Sequence, residues 1–475
     1  MRLYLVASKP TDSVTYGFVP AAGRLGLDVT LLTDKPEAHQ RAYATARSSP
    51  GRPFPGPLPG PSQQRAASWQ QRAAPPRQPT ADEWPHVSIE AADVHDHRSV
   101  ITALTGPHHK PSALFTNSDH LQAQTALAAD YLGLPGKDWR AALRAKDKGL
   151  MRRRLAAEGV EHVRAVPLRP GDPEPPENLG YPVVLKPAQG VASEDVVLVR
   201  DAAELAGRAA AFFERHPADT LLAEEFLPGT LRTLETIGDG RTRWTLGGFR
   251  TTVSPPPYFI EERLTWDEPP PAARAHVETA LDALGVSFGA CHTEYVTGAE
   301  READAGTRLI EVNDRIIGDH CDFLLAQLTG LPLFELVLQI HLGERLPPVP
   351  PVTPGDRRHG VADYLIAERP GLLPPVPAPS SPVAANPGVT LSHWPLARPG
   401  DQVTVSGTNR DYLAVLTAAG PSQAAVDAGV SALRERLRAD FAPVLGDAVL
   451  AETGPAETGP AEPGLAAAVP AESRA

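Results

Sequence analysis

The sequences LIEVNDR at residues 309–315 and CHTEY at residues 291–295 each place one carboxylate inside an otherwise apolar or β-branched run. Such runs predict two neighbouring strands, 293–297 and 308–313, joined by a glycine and an acidic turn. A carboxylate is costly to bury unless a cation or a polar partner compensates it. We therefore expect a polar site between these two strands.

The two carboxylates, Glu294 and Glu311, would lie on facing strands. With the amide oxygen of Asn313 they offer the hard oxygen ligands that Mg²⁺ needs, and they leave positions for phosphate oxygens and water. Arg315 follows, and its planar fork suits a phosphate or an acyl phosphate. The alternative is that both glutamates are outward side chains of edge strands and point to solvent.

Two lysines lie upstream of these strands. Lys186 ends the predicted strand VVLKP at 183–187, directly before the small-residue loop QGVAS at 189–193. Such a loop lets backbone N–H groups approach phosphate oxygens, while Lys186 and the earlier Lys148 would neutralise phosphate charge. Taken singly, each lysine could equally be a solvated surface charge.

The order of these segments along the chain is more specific than any one of them. They resemble the successive motifs of the ATP-grasp superfamily, to which biotin carboxylase, D-alanine–D-alanine ligase and dipeptide ligases such as carnosine synthase belong. The resemblance covers residues 1–345 by motif order and the C-terminal region more loosely. The motifs are DK at 147–148, YPVVLKP at 181–187, EEFLPG at 224–229, HTE at 292–294 and IEVNDR at 310–315.

The resemblance implies a role for each matched position. The lysines would contact the ATP phosphates under a lid formed by the 189–193 loop, and the backbone of the 224–227 linker would meet adenine. Arg315 and Lys186 would act in catalysis, with Mg²⁺ held by Glu294, Glu311 and Asn313. The implied nucleotide-binding residues are Lys148, Lys186, Gly190, Ala192, Ser193, Glu224, Glu225, Phe226 and Leu227.

Three positions depart from the family pattern. Similar sequences carry a ribose-binding glutamate where this chain has Leu231, and Asn-Pro-Arg where it has NDR at 313–315. The lid segment GVASED at 190–195 has one glycine and two acids. These departures concern the ribose contact and the affinity for ATP.

Two further segments resemble the substrate side of dipeptide- and siderophore-type ligases. They are TTVSPPPYFIEE at 251–262 and IGDH at 317–320. Arg250 and Glu262 are candidates to orient the carboxylate and the amine of an amino acid. The implied substrate residues are Arg250, Glu262, Arg315, Asp319 and His320. The alternative is a surface turn rich in proline.

The element pattern predicts an α/β protein, and the resemblance implies the α+β ATP-grasp architecture. Strand, helix and strand within the first 35 residues form a βαβ unit and therefore a parallel sheet. Two segments, the proline-rich insertion and the repetitive tail, are predicted to be disordered. The expected divisions are an N-terminal α/β domain at 1–134 with the insertion at about 45–82, a two-lobed antiparallel ATP-grasp domain at 135–345, a small mixed region at 346–445 and the tail at 446–475.

Composition narrows the functional class. A chain of 475 residues suggests two or three domains, and a net charge of −12 argues against a nucleic-acid partner. Cys291 and Cys321 are too few for a disulfide framework. They could bind zinc with the adjacent His292 and His320, but adjacent residues in a strand point to opposite faces. Without a signal peptide or a long apolar run, we expect a cytoplasmic protein with no membrane partner.

The expected activity is that of an ATP-dependent carboxylate–amine ligase that forms an amide through an acyl phosphate. ATP and Mg²⁺ are the expected cofactors, with Mn²⁺ as an alternative ion. The expected partners are small-molecule acids and amines, such as amino acids or small polycarboxylates of specialised-metabolite or siderophore biosynthesis, and a homodimer is left open. The alternatives are a degenerate ATP-grasp protein that binds nucleotide and regulates, and a purine-pathway or carboxylase-type ligase.

Overall fold

The computed structural model describes residues 1–48, 84–106, 110–171, 180–298, 306–348, 359–386 and 388–444. Nearly all of the proline-rich insertion, the acidic turn and the whole tail lie outside these ranges.

The N-terminal part contains a four-stranded parallel sheet. Its strands are β1 (Arg2–Val6), β2 (Asp28–Thr33), β3 (Val87–Ala91) and β4 (Ala113–Phe115), in the order β3-β2-β1-β4. The predicted βαβ unit is confirmed. Because parallel strands end at one edge of the sheet, the loops after β1 and β4 meet there, where ligands commonly bind in such sheets. The helices are Val19–Arg24, Pro36–Ser48, His97–Leu104 and Gln122–Tyr131, the first following a π-helical turn at Ser13–Phe18.

A second, antiparallel sheet carries Lys186. Its strands are β5 (Ala165–Leu168), β6 (Val183–Pro187), β7 (Val197–Val199) and β8 (Leu221–Glu225), in the order β5-β8-β6-β7. Asp147 is the N-cap of the helix Lys148–Ala157, because its side chain accepts a 2.8 Å hydrogen bond from Leu150 N. The other helices of this region are Trp139–Lys146 and Ala202–Arg215.

The largest sheet has nine antiparallel strands and continues into the C-terminal region. Its members are β9 (Thr230–Asp239), β10 (Arg243–Val253), β11 (Glu261–Asp267), β12 (Phe288–Thr297), β13 (Arg308–Asn313), β14 (His359–Ile366), β16 (Ser380–Asn386), β17 (Val389–Pro395) and β19 (Tyr412–Gly420). Their order is β13-β12-β9-β10-β11-β14-β19-β17-β16. The predicted strands 293–297 and 308–313 are confirmed as parts of β12 and β13. Because β11 pairs with β14, the C-terminal strands extend the central sheet.

The helices Pro271–Leu284, Cys321–Thr329, Leu333–His341 and Gln423–Leu437 pack on this sheet, and β15 (Gly371–Leu372) pairs with β18 (Gln402–Val403) beside it. No single helix among the described residues is long and apolar enough to cross a membrane; the pair Cys321–Thr329 and Leu333–His341, bent by 98°, meets that criterion only when taken together.

An apolar seam joins the N-terminal sheet to the central part. Phe18 lies edge-on to Phe334 with ring centroids 5.0 Å apart, and it also contacts Phe115. Gly17 is required there, because a Cβ at this position would lie 2.3 Å from the Phe334 ring. Close packing of large aromatic side chains fixes the N-terminal loops against the central sheet.

Candidate active site

A cavity of about 350 Å³ lies between the two antiparallel sheets. Its volume and mixed polar and apolar lining are typical of a small-molecule site. The structure brings most of the predicted site residues together on this lining: Lys148, Lys186, Gly190, Ala192, Ser193, Glu224, Glu225, Phe226, Leu227, Glu294, Glu311, Asn313, Arg315 and Asp319.

Glu294 and Glu311 are direct cross-strand partners on β12 and β13. Directly opposite side chains share one face of a sheet, so two carboxylates here require compensating positive charge. Lys148 Nζ lies 3.0 Å from Glu311 Oε2, and His292 Nε2 lies 3.4 Å from Glu294 Oε1. Each of the two glutamates therefore has a basic neighbour, and both line the cavity.

The donor set fits a hard divalent cation. Glu294, Glu311 and Asn313 provide oxygen atoms on one cavity wall, and Mg²⁺ takes such ligands together with water and phosphate oxygens. Across the described residues, no group of three or more His, Cys, Asp or Glu side chains forms a metal site. An ion held here would therefore complete its shell with other oxygens. The zinc alternative has no support, since Cys291 and Cys321 are buried free thiols.

His292 supplies a positive charge that the sequence did not predict. Burial would lower its pKa, but Glu235, 2.8 Å from Nδ1, and Glu294 raise that pKa to about 10. Burial likewise would raise the pKa of Glu294, yet the hydrogen bond from His292 and the charges of Lys148 and Arg315 lower it. Glu294 is thus held as a carboxylate, the form that binds a cation.

The second lysine belongs to a buried ion-pair network. Lys186 Nζ lies 2.7 Å from Glu224 Oε1, and Arg152 donates to both carboxylate oxygens of Glu224. Arg152 also contacts Glu161 at 2.8 Å and the carbonyl of Leu309 at 2.7 Å. Burial would raise the pKa of Glu224, but Lys186 and Arg152 lower it to about 2. The network fixes Lys186 beside the cavity.

The lid is docked over the cavity. Ala192, Ser193 and Asp195 adopt left-handed φ values of 54–57°, which is unfavourable for residues other than glycine. External contacts compensate this strain: Ser193 Oγ donates to Phe259 O at 3.0 Å, and Asn409 N donates to Ala192 O at 3.1 Å. Glu194 pairs with Arg410 in addition. The C-terminal loop 406–411 therefore holds the lid.

Arg315 is positioned from the N-terminal sheet. Its Nε donates to Asp119 Oδ2 at 2.7 Å, and its Nη1 donates to Ile316 O at 2.8 Å. Burial would lower the pKa of Arg315, but Asp119 raises it above its usual range, so the guanidinium remains charged. Asp119 follows β4, and sequence reasoning missed it because nothing local connects it with Arg315.

Three predicted substrate residues are not on the cavity lining. Arg250 is exposed on β10, and Glu262 is not on the lining although its neighbour Glu261 is. The register shifts at this point, because Thr252 pairs with Arg263 and Val253 with Glu261, so Glu262 has no partner on β10. His320 is buried, its Nε2 donates to Asp12 Oδ2 at 2.9 Å, and its ring stacks on Trp394.

Sequence reasoning also missed Glu261, which lines the cavity. Burial and the nearby Glu294 raise the pKa of Glu261 to about 8. Its carboxylate accepts a 3.3 Å hydrogen bond from Asn409 Nδ2, and its carbonyl accepts a 2.7 Å bond from Tyr412 OH. The sequence FIEE at 259–262 contains two consecutive acids, and only the tertiary structure shows that Glu261 is the one that lines the cavity.

Comparison with known proteins places this geometry in context. No protein-family model matches the chain. Uncharacterized protein y4rH of Sinorhizobium fredii (strain NBRC 101917 / NGR234) is 29% identical over 307 residues, which cover 62% of this chain and 61% of that relative. The match therefore spans less than two thirds of either protein.

Two solved structures share most of the architecture. The L-amino acid ligase of Bacillus licheniformis superposes with a TM-score of 0.67 at 19% identity, covering 94% of this chain and 99% of that one. The biotin carboxylase domain of the Hydrogenobacter thermophilus 2-oxoglutarate carboxylase, in complex with MgADP, ADP and bicarbonate, gives 0.60 at 17% identity, covering 91% and 89%. The arrangement of its sheets and these two superpositions show that the chain has the ATP-grasp fold.

Proposed function

We propose that this chain is an ATP-dependent carboxylate–amine ligase that forms an amide bond through an acyl phosphate. The observation that carries the proposal is the facing pair Glu294 and Glu311, which shares one cavity with Lys148, Lys186 and Arg315. The fold likeness to an L-amino acid ligase and to a biotin carboxylase domain with bound MgADP supports the same class.

Each residue has a specific task in this reaction. Lys148 and Lys186, now paired with Glu311 and Glu224, would bind phosphate oxygens of ATP. Mg²⁺, held by the β12 and β13 carboxylates and Asn313, would neutralise charge on the phosphoryl group. Arg315 would hold that group, or the acyl phosphate, with its planar fork.

The reaction balances without an enzyme nucleophile. The γ-phosphoryl group passes from ATP to the substrate carboxylate, which leaves ADP and an acyl phosphate. The amine then attacks the acyl carbon, the C–N bond forms, phosphate departs and the amine loses a proton. Positioning and electrostatic stabilisation would supply the catalysis.

The proposal extends to substrate class and setting. Amino acids or small polycarboxylates are the proposed substrates, in specialised-metabolite or siderophore biosynthesis and in the cytoplasm, with Mn²⁺ as an alternative to Mg²⁺. The direct test is phosphate release from Mg²⁺–ATP with pooled amino acids and polycarboxylates, with products identified by mass spectrometry. ADP and a new amide would support the ligase, whereas AMP would indicate adenylation and contradict the acyl phosphate.

One observation favours a second candidate, a nucleotide-binding protein without turnover. Leu231 lines the cavity where similar sequences carry a ribose-binding glutamate. Tight ATP binding without ADP formation, across the whole substrate pool, would favour that candidate. The same mass spectra would identify a purine-pathway or carboxylase-type ligase, since its product would contain a different acceptor.

A further inference from the structure

Glu261 differs from the other glutamates of the cavity. Five glutamates line it. Four of them form ion pairs: Glu224 with Lys186, Glu225 with Arg164, Glu294 with His292 and Glu311 with Lys148. Among the residues that the structure describes, Glu261 forms no ion pair.

The side chain of Glu261 is nevertheless held in place. The side-chain amide of Asn409 makes two hydrogen bonds with Glu261: Oδ1 accepts from Glu261 N at 3.1 Å, and Nδ2 donates to Glu261 Oε2 at 3.3 Å. Tyr412 OH donates to the Glu261 carbonyl at 2.7 Å. Burial favours the protonated form of such a carboxyl group, and a positively charged ligand would stabilise its charged form.

The position of Glu261 indicates which kind of cation that is. Glu261 lies on β11, whereas the three ligands proposed for Mg²⁺ lie on β12 and β13, so Glu261 is separate from that set. Asp319 also lines the cavity and forms no ion pair among the described residues. Two separate carboxylates with free acceptor oxygens suit an ammonium group, which donates up to three hydrogen bonds.

We infer that Glu261, positioned by Asn409, binds the ammonium group of the amine substrate. The inference rests on the proposed ligase function and assigns its second substrate to primary amines that are charged at neutral pH. Asn409 also donates its backbone N–H to Ala192 O of the lid at 3.1 Å. The amine subsite therefore borders the lid, beside the carboxylates that face the phosphate groups.

The test compares Glu261→Gln with Glu262→Gln in the full chain. Both changes replace a carboxyl group by an amide of similar size, but Glu262 is not on the cavity lining. The amide introduced at position 261 still accepts from Asn409 Nδ2, so this variant is expected to fold. Each protein is assayed for amide formation with Mg²⁺–ATP and pairs of the twenty common L-amino acids. In a separate assay hydroxylamine replaces the amine substrate. Hydroxylamine is uncharged at neutral pH and traps an acyl phosphate as a hydroxamate.

We expect Glu261→Gln to raise KM for the amine about tenfold or more, because one charge-assisted hydrogen bond is lost. Hydroxamate formation and KM for ATP should stay at wild-type values, and Glu262→Gln should change none of the three. Asn409→Ala keeps the backbone contact with the lid, so it should raise KM for the amine and leave KM for ATP unchanged.

Three outcomes would overturn the inference: an unchanged KM for the amine, an equal loss with hydroxylamine, or a raised requirement for Mg²⁺. If the wild type forms neither ADP nor hydroxamate, the proposed function fails and a binding measurement decides the inference. The Tm of the full chain with Mg²⁺–ADP is then measured with the same amino acids and with their N-acetyl forms. An increase that needs the free ammonium group and is lost in Glu261→Gln supports the subsite, and no such increase rejects it.

Discussion

Arg315 and Asp119 form a half-buried ion pair across 196 positions of sequence, with Nε 2.7 Å from Oδ2. Arg315 lies on the cavity lining, and Asp119 follows the last strand of the N-terminal parallel sheet. The N-terminal part therefore orients a guanidinium on the cavity wall, the group that we propose to meet the transferred phosphoryl group.

This pair gives a direct prediction. Asp119→Asn should lower kcat about tenfold while KM for ATP changes little, because a misplaced guanidinium weakens the transition state more than nucleotide binding. Steady-state phosphate release measures both parameters. Asp130→Asn, at an exposed position of the following helix, is the matched control and should be silent. Equal kcat in both variants would contradict the role of Asp119.

Glu311→Gln should abolish turnover while the protein remains folded. The change keeps size but removes a carboxylate charge from the wall that faces phosphate, and losses of about a hundredfold or more follow removal of such groups. Phosphate release measures the loss, and the thermal unfolding midpoint reports folding. Glu268→Gln, at an exposed position, is the control. Retained activity would remove Glu311 from the proposed metal site.

Replacement of Arg152 is expected to lower the free energy of unfolding. Arg152→Met leaves Glu224 and Glu161 buried without their shared cation, which costs about 3–5 kcal/mol in comparable buried pairs. Arg153→Met, at the exposed neighbouring position, should change the free energy of unfolding by about 0.5 kcal/mol or less. Urea unfolding of the two variants measures the difference, and equal values would show that the network is not stabilising.

The same network predicts a pH dependence. Lys186 and Arg152 lower the pKa of Glu224 from 4.5 to about 2, so the folded state binds this proton less readily than the unfolded state does. The stability contributed by the charged Glu224 is therefore fully present above pH 4.5 and is lost as the pH falls towards 2. Urea unfolding across this range measures it. Glu224→Gln should flatten this part of the curve, and an unchanged slope would contradict the assignment.

The contact between Arg410 and the lid should affect nucleotide binding. Arg410→Ala removes the partner of Glu194 and should raise KM for ATP severalfold with kcat nearly unchanged, because the docked lid becomes less populated. Arg438→Ala breaks an exposed pair with Glu368 in the same region and serves as the control. Steady-state kinetics with varied ATP distinguishes them. Identical KM values for ATP in the two variants would contradict a role of Arg410 in holding the lid.

Much of the site could be predicted because its signals are local. A carboxylate in a β-branched run, a lysine at the end of a strand and a capping aspartate before a helix are each defined by a few adjacent residues. The structure places Glu294 opposite Glu311 and Lys186 beside the cavity, as those patterns predict. Arg250, Glu262 and His320 were proposed from a looser resemblance, and none of them lines the cavity.

The sequence by itself determined the strand pair and the order of the motifs, because both depend on residues close together in the chain, and the resemblance of that order to the ATP-grasp motifs implied the fold. Only the tertiary structure decided that Asp119 holds Arg315, that Arg152 and Lys186 share Glu224, and that Glu261 faces inward. Partners separated by many residues are chosen by packing, and a shift of one residue in a strand exchanges the buried and exposed side chains.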